Sequence, residues 1–220
     1  MPSDQPLIQF DWIVNNLGEI GRRLGEHIEM TVIAVVIGFV VSFGLALLIR
    51  RYRGLSGPVL AVSGVLYTVP SLALFALLLP FTGLSLLSAE IALVSYTVLI
   101  LVRNILAGLE SVPPDVSEAA VGMGLTASQR LWRIELPIAL PVIVAGVRIA
   151  TVTTIGLVTV TSLIGQGGLG YLIVVVGINQ FFATAIYVGA LLSVALAVGA
   201  DLGLLRLQRA LTPWSQARAE

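Results

Sequence analysis

Few side chains in this sequence are suited to chemistry. It contains no Cys and a single His, so neither a thiolate nor a histidine metal centre is expected. All twelve basic residues are Arg, and without Lys the chain cannot carry the phosphate-binding motif Gly-x-x-x-x-Gly-Lys-Ser/Thr. Twelve acidic residues balance the arginines, and the net charge of zero argues against a nucleic-acid partner. We therefore expect a protein that is not an enzyme and has no metal or cofactor of its own.

The most regularly spaced polar residues lie in segment 110–137, the longest hydrophilic interval between apolar segments. After two prolines, Asp115 can cap a short helix, and Glu118 stands three residues on, as in a capping box. Gly122 and Gly124 are candidates for the residue that ends this helix, because glycine readily adopts the left-handed conformation found at helix ends. The first half of the segment therefore predicts a short helix that ends in a glycine turn.

The second half of the segment predicts another short helix. Thr126 and Gln129 have the spacing of a second capping box, which would start this helix. Leu136-Pro137 would end it and begin the next apolar segment. A loop with two helices of its own is more suited to docking onto a partner than to moving freely in water.

The rest of the sequence is too apolar for a water-soluble domain. The whole chain is 57% hydrophobic and 11% charged, with a mean hydropathy of +1.01, whereas a soluble domain carries about twice that charged fraction. A helix that spans a membrane needs about 20 mostly apolar residues. Five segments meet this requirement: 30–49, 58–80, 89–109, 138–163 and 183–205. We therefore predict an all-α, polytopic membrane protein in which residues 1–220 form one transmembrane domain with five helices.

The second apolar segment is interrupted at Pro70-Ser71. Pro removes a backbone hydrogen bond and clashes with the preceding turn, so the helix is predicted to be broken or kinked there. A broken helix at membrane depth is tolerated where it is buried in protein or lines a water-filled cavity. A site on a translocation path and a simple structural kink are both compatible with this pattern.

The arginines predict the orientation in the membrane. Positive residues concentrate in cytoplasmic loops. With five spans, the regions after segments one, three and five fall on one side, and they contain Arg50, Arg51, Arg53, Arg130, Arg133, Arg206, Arg209 and Arg218. This places segment 110–137 and the C-terminus in the cytoplasm and the N-terminus outside.

Residues 9–27 have apolar side chains at helical spacing on one side, among polar positions. This pattern is typical of an interfacial helix that lies on the membrane. A solvated lead-in to the first span is the alternative.

The segment 110–137 resembles the EAA loop of bacterial ABC importer permeases. The matching residues, at the family's spacing, are Glu118, Ala119, Ala120, Gly124, Ile134, Leu136 and Pro137. The resemblance implies that this loop is a coupling helix, which inserts into a cleft of the ATP-hydrolysing subunit. The small alanines would let the helix seat closely, and Glu118 would offer a charge to a basic rim.

The resemblance covers residues 10–206 and extends to the permeases of osmoprotectant importers. Segments 68–75, 145–148 and 164–170 carry it, although Gln166 stands where small residues are usual. It implies a fold like the five-span methionine importer permease and uptake of substrates such as glycine betaine, choline, carnitine or proline betaine. Transport of methionine or another amino acid is the alternative within the family. A secondary transporter is less well supported, because it would need ionisable pairs at the membrane midplane and usually has more spans. A membrane enzyme is less well supported, because the chain lacks paired carboxylates, has a single His and contains no Cys.

The resemblance also implies a set of partners in a bacterial cell membrane. These are a dimer of ATP-binding subunits, a second permease copy or a paralogue, and an extracytoplasmic substrate-binding protein, all organised around the lipid bilayer. ATP is bound by the partner subunit, and transport proceeds by alternating access.

Within the fourth apolar segment, Arg148 lies near the predicted bilayer midplane, where an unpaired charge is costly. It either lines the translocation path or a subunit interface, or forms a structural pair with a carboxylate such as Glu90 or Asp201. Gly167 and Gly168 belong to a Gly-rich outer turn that is either a gate or a packing turn. The predicted path residues are thus Pro70, Ser71, Arg148, Gly167 and Gly168.

Overall fold

The computed structural model of the chain describes residues 6–213; residues 1–5 and 214–220, which include Arg218, lie outside the described part. Residues 6–213 form helices and contain no strand. The helices are α1 (Phe10–Asn15), α2 (Leu17–Arg51), α3 (Ser56–Thr68), α4 (Ser71–Thr82), α5 (Leu86–Glu110), α6 (Pro114–Gly122), α7 (Ala127–Arg130), α8 (Leu136–Val160), α9 (Leu169–Tyr171) and α10 (Ala183–Leu211). The 3-10 helices Arg53–Leu55 and Thr161–Ile164 and the π-helical segments Leu131–Glu135 and Leu172–Ile178 adjoin them.

The helices account for the five predicted spans. Four of them are long and apolar enough to cross a membrane, namely α2, α5, the continuous helix Ala127–Ile164 and α10. The helices Arg53–Thr68 and Ser71–Thr82 make the fifth as a bent pair, with an angle of 100° between them. The prediction of an all-α polytopic fold with a broken second span is therefore confirmed.

The break in the second span lies at Val69 and Pro70. Both residues are extended, with ψ angles of 127° and 134°, because a residue before Pro avoids the helical region and Pro itself cannot donate a helical hydrogen bond. The hydroxyl of Tyr96 in α5 donates a hydrogen bond to the Val69 carbonyl, which the break leaves without a helical partner. The interruption is thus a true change of direction, and it is anchored to the centre of the bundle.

The N-terminal helix is shorter than the sequence pattern predicts. α1 ends at Asn15, and α2 then runs without interruption from Leu17 through the first span. The predicted interfacial helix over 9–27 is therefore wrong in its extent, because residues 17–27 belong to the spanning helix. The position of α1 at the membrane surface stays a prediction.

The end of a helix predicted at Leu136-Pro137 is also wrong, because the helix Ala127–Ile164 continues through these residues. The ring of Pro137 would clash with the carbonyl of the residue four positions earlier, Arg133. Arg133 lies within the π-helical segment Leu131–Glu135. The wider turn of this segment makes room for the ring of Pro137 and tolerates its lack of an N–H. The first nine residues of this helix include five polar ones, namely Ser128, Gln129, Arg130, Arg133 and Glu135, and they precede the apolar span, which begins at Leu136.

The core is organised around α5, which packs against α2, α3, α4 and α8. In the most apolar stretch of 18 residues in α5, half of the residues are buried within the chain, compared with 11% in the corresponding stretch of α10. Glycines allow the close approach: a Cβ on Gly146 of α8 would overlap the side chain of Asn104 of α5. α10 leaves most of its apolar surface available to lipid or to another subunit.

Candidate functional site

The segment 110–137 forms the predicted pair of short helices. α6 ends in a Schellman turn, in which Leu125 N–H donates to the Ala120 carbonyl at 3.1 Å and Gly124 N–H donates to the Val121 carbonyl at 2.9 Å. Gly124 has a φ of +78°, as a left-handed turn residue requires. The structure therefore places the turn at Gly124, whereas Gly122 is the last residue of α6.

The start of α7 agrees with the sequence. The Thr126 hydroxyl accepts a hydrogen bond from Gln129 N–H at 3.3 Å, and the Gln129 side chain accepts one from Thr126 N–H at 2.9 Å, which confirms this capping box. The start of α6 differs. Pro113 takes the cap position and Pro114 the first helical position, so Asp115 lies inside the first turn and makes no cap hydrogen bond. The first predicted capping box is therefore wrong. The first N–H groups of a helix have no partner within it, and Pro114 at the first helical position has no N–H that needs one.

The residues of the EAA-like pattern do not all share one surface. Glu118, Ala119 and Gly124 are exposed on the loop, whereas Ala120 is buried and packs inward. Val121 and Met123, which are 54% and 69% exposed, extend this surface with apolar side chains. The loop thus presents a carboxylate beside an apolar strip, which suits docking into a groove of a partner.

Leu136 and Pro137 lie away from this exposed surface. They are partly buried in the helix that follows the loop and line an apolar groove together with Phe39, Phe43 and Trp132. Their role in coupling stays a prediction, and their location favours holding the base of the loop over direct docking.

A buried carboxylate at the base of the loop was not found from the sequence. The side chain of Glu135 is 4% exposed, and it pairs with Arg50 of α2 and Arg130 of α7. Ser117 Oγ of α6 lies 3.4 Å from Glu135 Oε1. Burial raises the pKa of Glu135, but the hydrogen bonds and charges of the two arginines outweigh it and leave the pKa below the usual 4.5. We call Arg50, Ser117, Arg130 and Glu135 the Glu135 cluster.

The predicted intramembrane charge is paired within the bundle. Arg148 Nε and Nη2 each donate to one oxygen of Asp201 at 2.8 Å, so the pair is bidentate between α8 and α10. Of the two candidate partners, Asp201 is therefore the correct one. The Glu90 carboxylate is buried near the start of α5 and has no hydrogen-bond partner within the described chain. The Arg148 and Asp201 side chains are 23% and 33% exposed, so this pair keeps contact with the surroundings of the bundle.

The Gly-rich turn is held by the start of α2. Gly168, with a φ of +78°, donates its N–H to Glu26 Oε2 at 2.9 Å, and a Cβ on Gly167 would overlap the same carboxylate. His27 accepts a hydrogen bond from Leu169 N–H at 3.2 Å through Nδ1, while its Nε2 lies 3.0 Å from the Ile155 carbonyl. The chain then returns as the short apolar helix Leu169–Ile178. The packing alternative is thus present in the structure, and a gating role stays a prediction.

The predicted site residues fall into four separate places. The loop lies at the beginning of the helix Ala127–Ile164, Arg148 lies within that helix, and the Gly-rich turn follows its end. Pro70 lies at the break in the second span, and Ser71 follows it as the first residue of α4. His27 and Glu135 are the polar residues that sequence reasoning missed, because a single His or Glu within a helix has no local pattern that predicts its partners.

Comparison with known proteins identifies the class. Residues 34–213 match the family described as the inner membrane component of binding-protein-dependent transport systems, and the chain belongs to this family. It is thus a multi-pass membrane subunit of a transport system that works with a separate binding protein.

Individual relatives show which permeases of this family the chain resembles. The chain is 38% identical over 207 residues to the osmoprotectant import permease protein OsmW of Salmonella typhimurium, covering 92% of this chain and 96% of the relative. It is 40% identical over 199 residues to the glycine betaine/carnitine/choline transport system permease protein OpuCD of Bacillus subtilis, covering 90% and 86%. An inward-facing structure of the MetNI methionine ABC transporter has a TM-score of 0.79 at 24% identity, covering 90% of this chain and 98% of its own. The predicted resemblance to osmoprotectant permeases, with a methionine-permease-like fold, is confirmed.

Proposed function

We propose that this chain is the permease subunit of an ABC importer that takes up osmoprotectants such as glycine betaine, choline or carnitine. The observation that carries the proposal is the identity of 38% to 40% along nine-tenths of the chain with permeases of that substrate class. The fold likeness to a methionine transporter at 24% identity supports the architecture and leaves methionine as the outcome to exclude.

The proposed role of the loop 110–137 is to receive the motion of a partner ATPase. Its exposed surface combines Glu118 and Ala119 with Val121 and Met123, and the turn at Gly124 fixes the angle between α6 and α7. Closure of the ATPase dimer would draw the two loops of a permease pair together and open the pathway outward. Glu118, Ala119, Ala120, Gly124, Leu136 and Pro137 are the proposed coupling residues.

The proposed assembly contains two permease chains, two ATPase subunits and an external binding protein. The first support for a second permease is the exposure of α10, because only 11% of its most apolar stretch of 18 residues is buried within the chain. The second is the charge pair of Arg148 and Asp201, which is partly exposed. A charge pair within a span avoids lipid by facing protein or a water-filled cavity. We place Pro70, Ser71, Arg148, Gly167 and Gly168 along or near the pathway, with the N-terminus outside and the C-terminus in the cytoplasm.

The substrate class is tested on the assembled transporter in proteoliposomes. Uptake of radiolabelled glycine betaine, choline and carnitine is compared with uptake of methionine, each with the binding protein of the same system. The proposal expects ATP-dependent uptake of at least one quaternary ammonium compound and none of methionine. Uptake of methionine alone would refute the substrate class and leave the coupling assignment standing.

The coupling assignment is tested by co-purification. Glu118→Lys reverses the exposed charge, so the permease is expected to retain less ATPase subunit than the unchanged protein. Asp115→Lys is the matched control, because Asp115 is an exposed carboxylate in the first turn of the same helix. Equal retention by both variants and by the unchanged permease would overturn the assignment of Glu118.

A further inference from the structure

The Glu135 cluster joins three parts of the chain at one buried carboxylate. Arg50 Nη2 donates to Glu135 Oε1 at 2.6 Å, while Nη1 donates to Oε2. Arg130 Nε donates to Oε1 at 2.9 Å, and Ser117 Oγ lies 3.4 Å from the same oxygen. Both oxygens of Glu135 therefore accept hydrogen bonds from Arg50 of α2, and Oε1 is also in contact with Ser117 of α6 and with Arg130, which lies earlier in the same continuous helix as Glu135.

The partners of Glu135 belong to elements that are proposed to move. Arg50 stands in the last turn of α2, the first spanning helix. Ser117 belongs to α6 and Arg130 ends α7, so they represent both helices of the loop. Glu135 itself immediately precedes the apolar part of the fourth span. The cluster is thus a direct link between the loop and the first span, two elements that the chain connects only through the second and third spans.

The charges of the cluster make this link specific. Two guanidinium groups share one carboxylate, so removing Glu135 leaves two like charges close together in a partly buried place, where Coulomb repulsion is weakly screened. A bidentate pair such as that of Arg50 and Glu135 also fixes direction as well as distance. A displacement of α7 therefore acts on α2 through a short and stiff connection.

We propose that Glu135 is a positioning residue that carries the displacement of the loop to the first spanning helix through Arg130 and Arg50. The inference rests on the proposed function of the loop. Glu135 touches neither substrate nor nucleotide; it keeps α6, α7 and the end of α2 moving as one body when the ATPase dimer closes.

The first experiment measures coupling in the complete transporter reconstituted in proteoliposomes. Glu135→Gln is expected to lower the number of glycine betaine molecules transported per ATP hydrolysed about tenfold, within the usual range of coupling between sites. Arg50→Gln and Arg130→Gln should lower the same ratio. Arg133→Gln is the matched control, since Arg133 lies in the same π-helical segment with an exposed side chain, and it should leave the ratio unchanged.

A double variant separates a shared link from independent stabilising contacts. If Arg50 and Glu135 act through one connection, Glu135→Gln combined with Arg50→Gln lowers the ratio no further than Glu135→Gln alone. Losses that multiply would overturn the proposal. Should Glu135→Gln not accumulate in the membrane, Arg50→Gln tests the same link from its more exposed end, because the Arg50 side chain is 34% exposed.

The second experiment needs no knowledge of the substrate. Because the chain contains no Cys, nitroxide labels can be attached through Tyr52→Cys and Ser128→Cys, at exposed positions directly after α2 and within α7 that lie outside the proposed docking surface. The distance between the labels should stay constant between the nucleotide-free complex and the complex with magnesium and a non-hydrolysable ATP analogue. In Glu135→Gln it should change. A distance that changes equally in both proteins would overturn the proposal.

The Glu118→Lys and Glu135→Gln variants also distinguish a failure of the proposed link from a failure of the proposed loop function. If Glu118→Lys weakens ATPase binding while Glu135→Gln keeps both the transport ratio and the label distance, the loop docks as proposed and only the link is wrong. If Glu118→Lys leaves assembly and uptake intact, the assignment of the loop itself fails.

Discussion

Replacing Gly124 by Ala isolates the contribution of the loop turn. The φ of +78° at this position costs about 1–2 kcal/mol for a residue with a Cβ. No atom lies within 4 Å of the place that a Cβ on Gly124 would occupy, so steric overlap adds nothing. Gly122, two residues earlier, also has open space for a Cβ but lies in the helix. Ala there should be neutral or stabilise the helix by up to about 1 kcal/mol.

The difference between these variants should appear in binding to the ATPase. If the loop must keep its turn to dock, a cost of about 1–2 kcal/mol weakens binding about 5-fold to 30-fold. We expect this loss for Gly124→Ala and none for Gly122→Ala. Gly124→Asn should lose less than Gly124→Ala, because Asn tolerates the left-handed conformation. The measurement is the equilibrium affinity between the purified permease in detergent and the ATPase subunit.

Two outcomes would contradict this reasoning. Equal affinities for the Gly122→Ala and Gly124→Ala variants would show that the left-handed turn does not limit docking. A loss with Gly124→Asn as large as that with Gly124→Ala would indicate that any side chain at the turn obstructs the partner. In that case contact with the partner, and not backbone strain, would be the cause.

Three further predictions concern the spans and the Glu135 cluster. Gly170→Ala places a Cβ on the backbone of α8 and should destabilise the detergent-solubilised protein by about 1–3 kcal/mol in thermal unfolding, whereas Gly156→Ala, with open space, should not. Arg148→Gln or Asp201→Asn alone should lower the yield of folded permease several-fold, and the double variant should recover most of it, as measured by fluorescence-detected size exclusion; equal yields would contradict the pairing. Because the folded-state pKa of Glu135 lies below the usual 4.5, its stabilisation is present above pH 4.5 and is lost as the pH falls through the folded-state value. The melting temperature of the unchanged protein should therefore drop more than that of Glu135→Gln between pH 6 and the acidic limit of about pH 3.

Local patterns in the sequence predicted the elements that depend on short-range physics. The apolar lengths gave the spans, Pro70 gave the break, and the spacing of Thr126 and Gln129 gave the start of α7. Each of these depends on neighbours within a few residues. For the same reason, the positive φ at Gly124 was predictable.

The errors come from competition between local signals and from distant contacts. Two prolines side by side removed the need for the cap predicted at Asp115, and a π-helical turn let the helix pass through Pro137. The pairs of Arg148 with Asp201 and of Arg50 with Glu135 join residues 53 and 85 positions apart. Helix periodicity says which face a residue occupies but not which helix comes to lie opposite it.

The uninterrupted helix Ala127–Ile164 has a mechanical consequence. Its 38 residues would extend about 57 Å at a rise of 1.5 Å per residue, from the loop 110–137 to the Gly-rich turn at Gly167 and Gly168. Over that length, a tilt of about 5° about one end moves the other end by about 5 Å, roughly one helical turn. The helix can therefore act as a lever: a small rotation imposed at the loop becomes, at the far side of the membrane, a displacement as large as the width of a small solute.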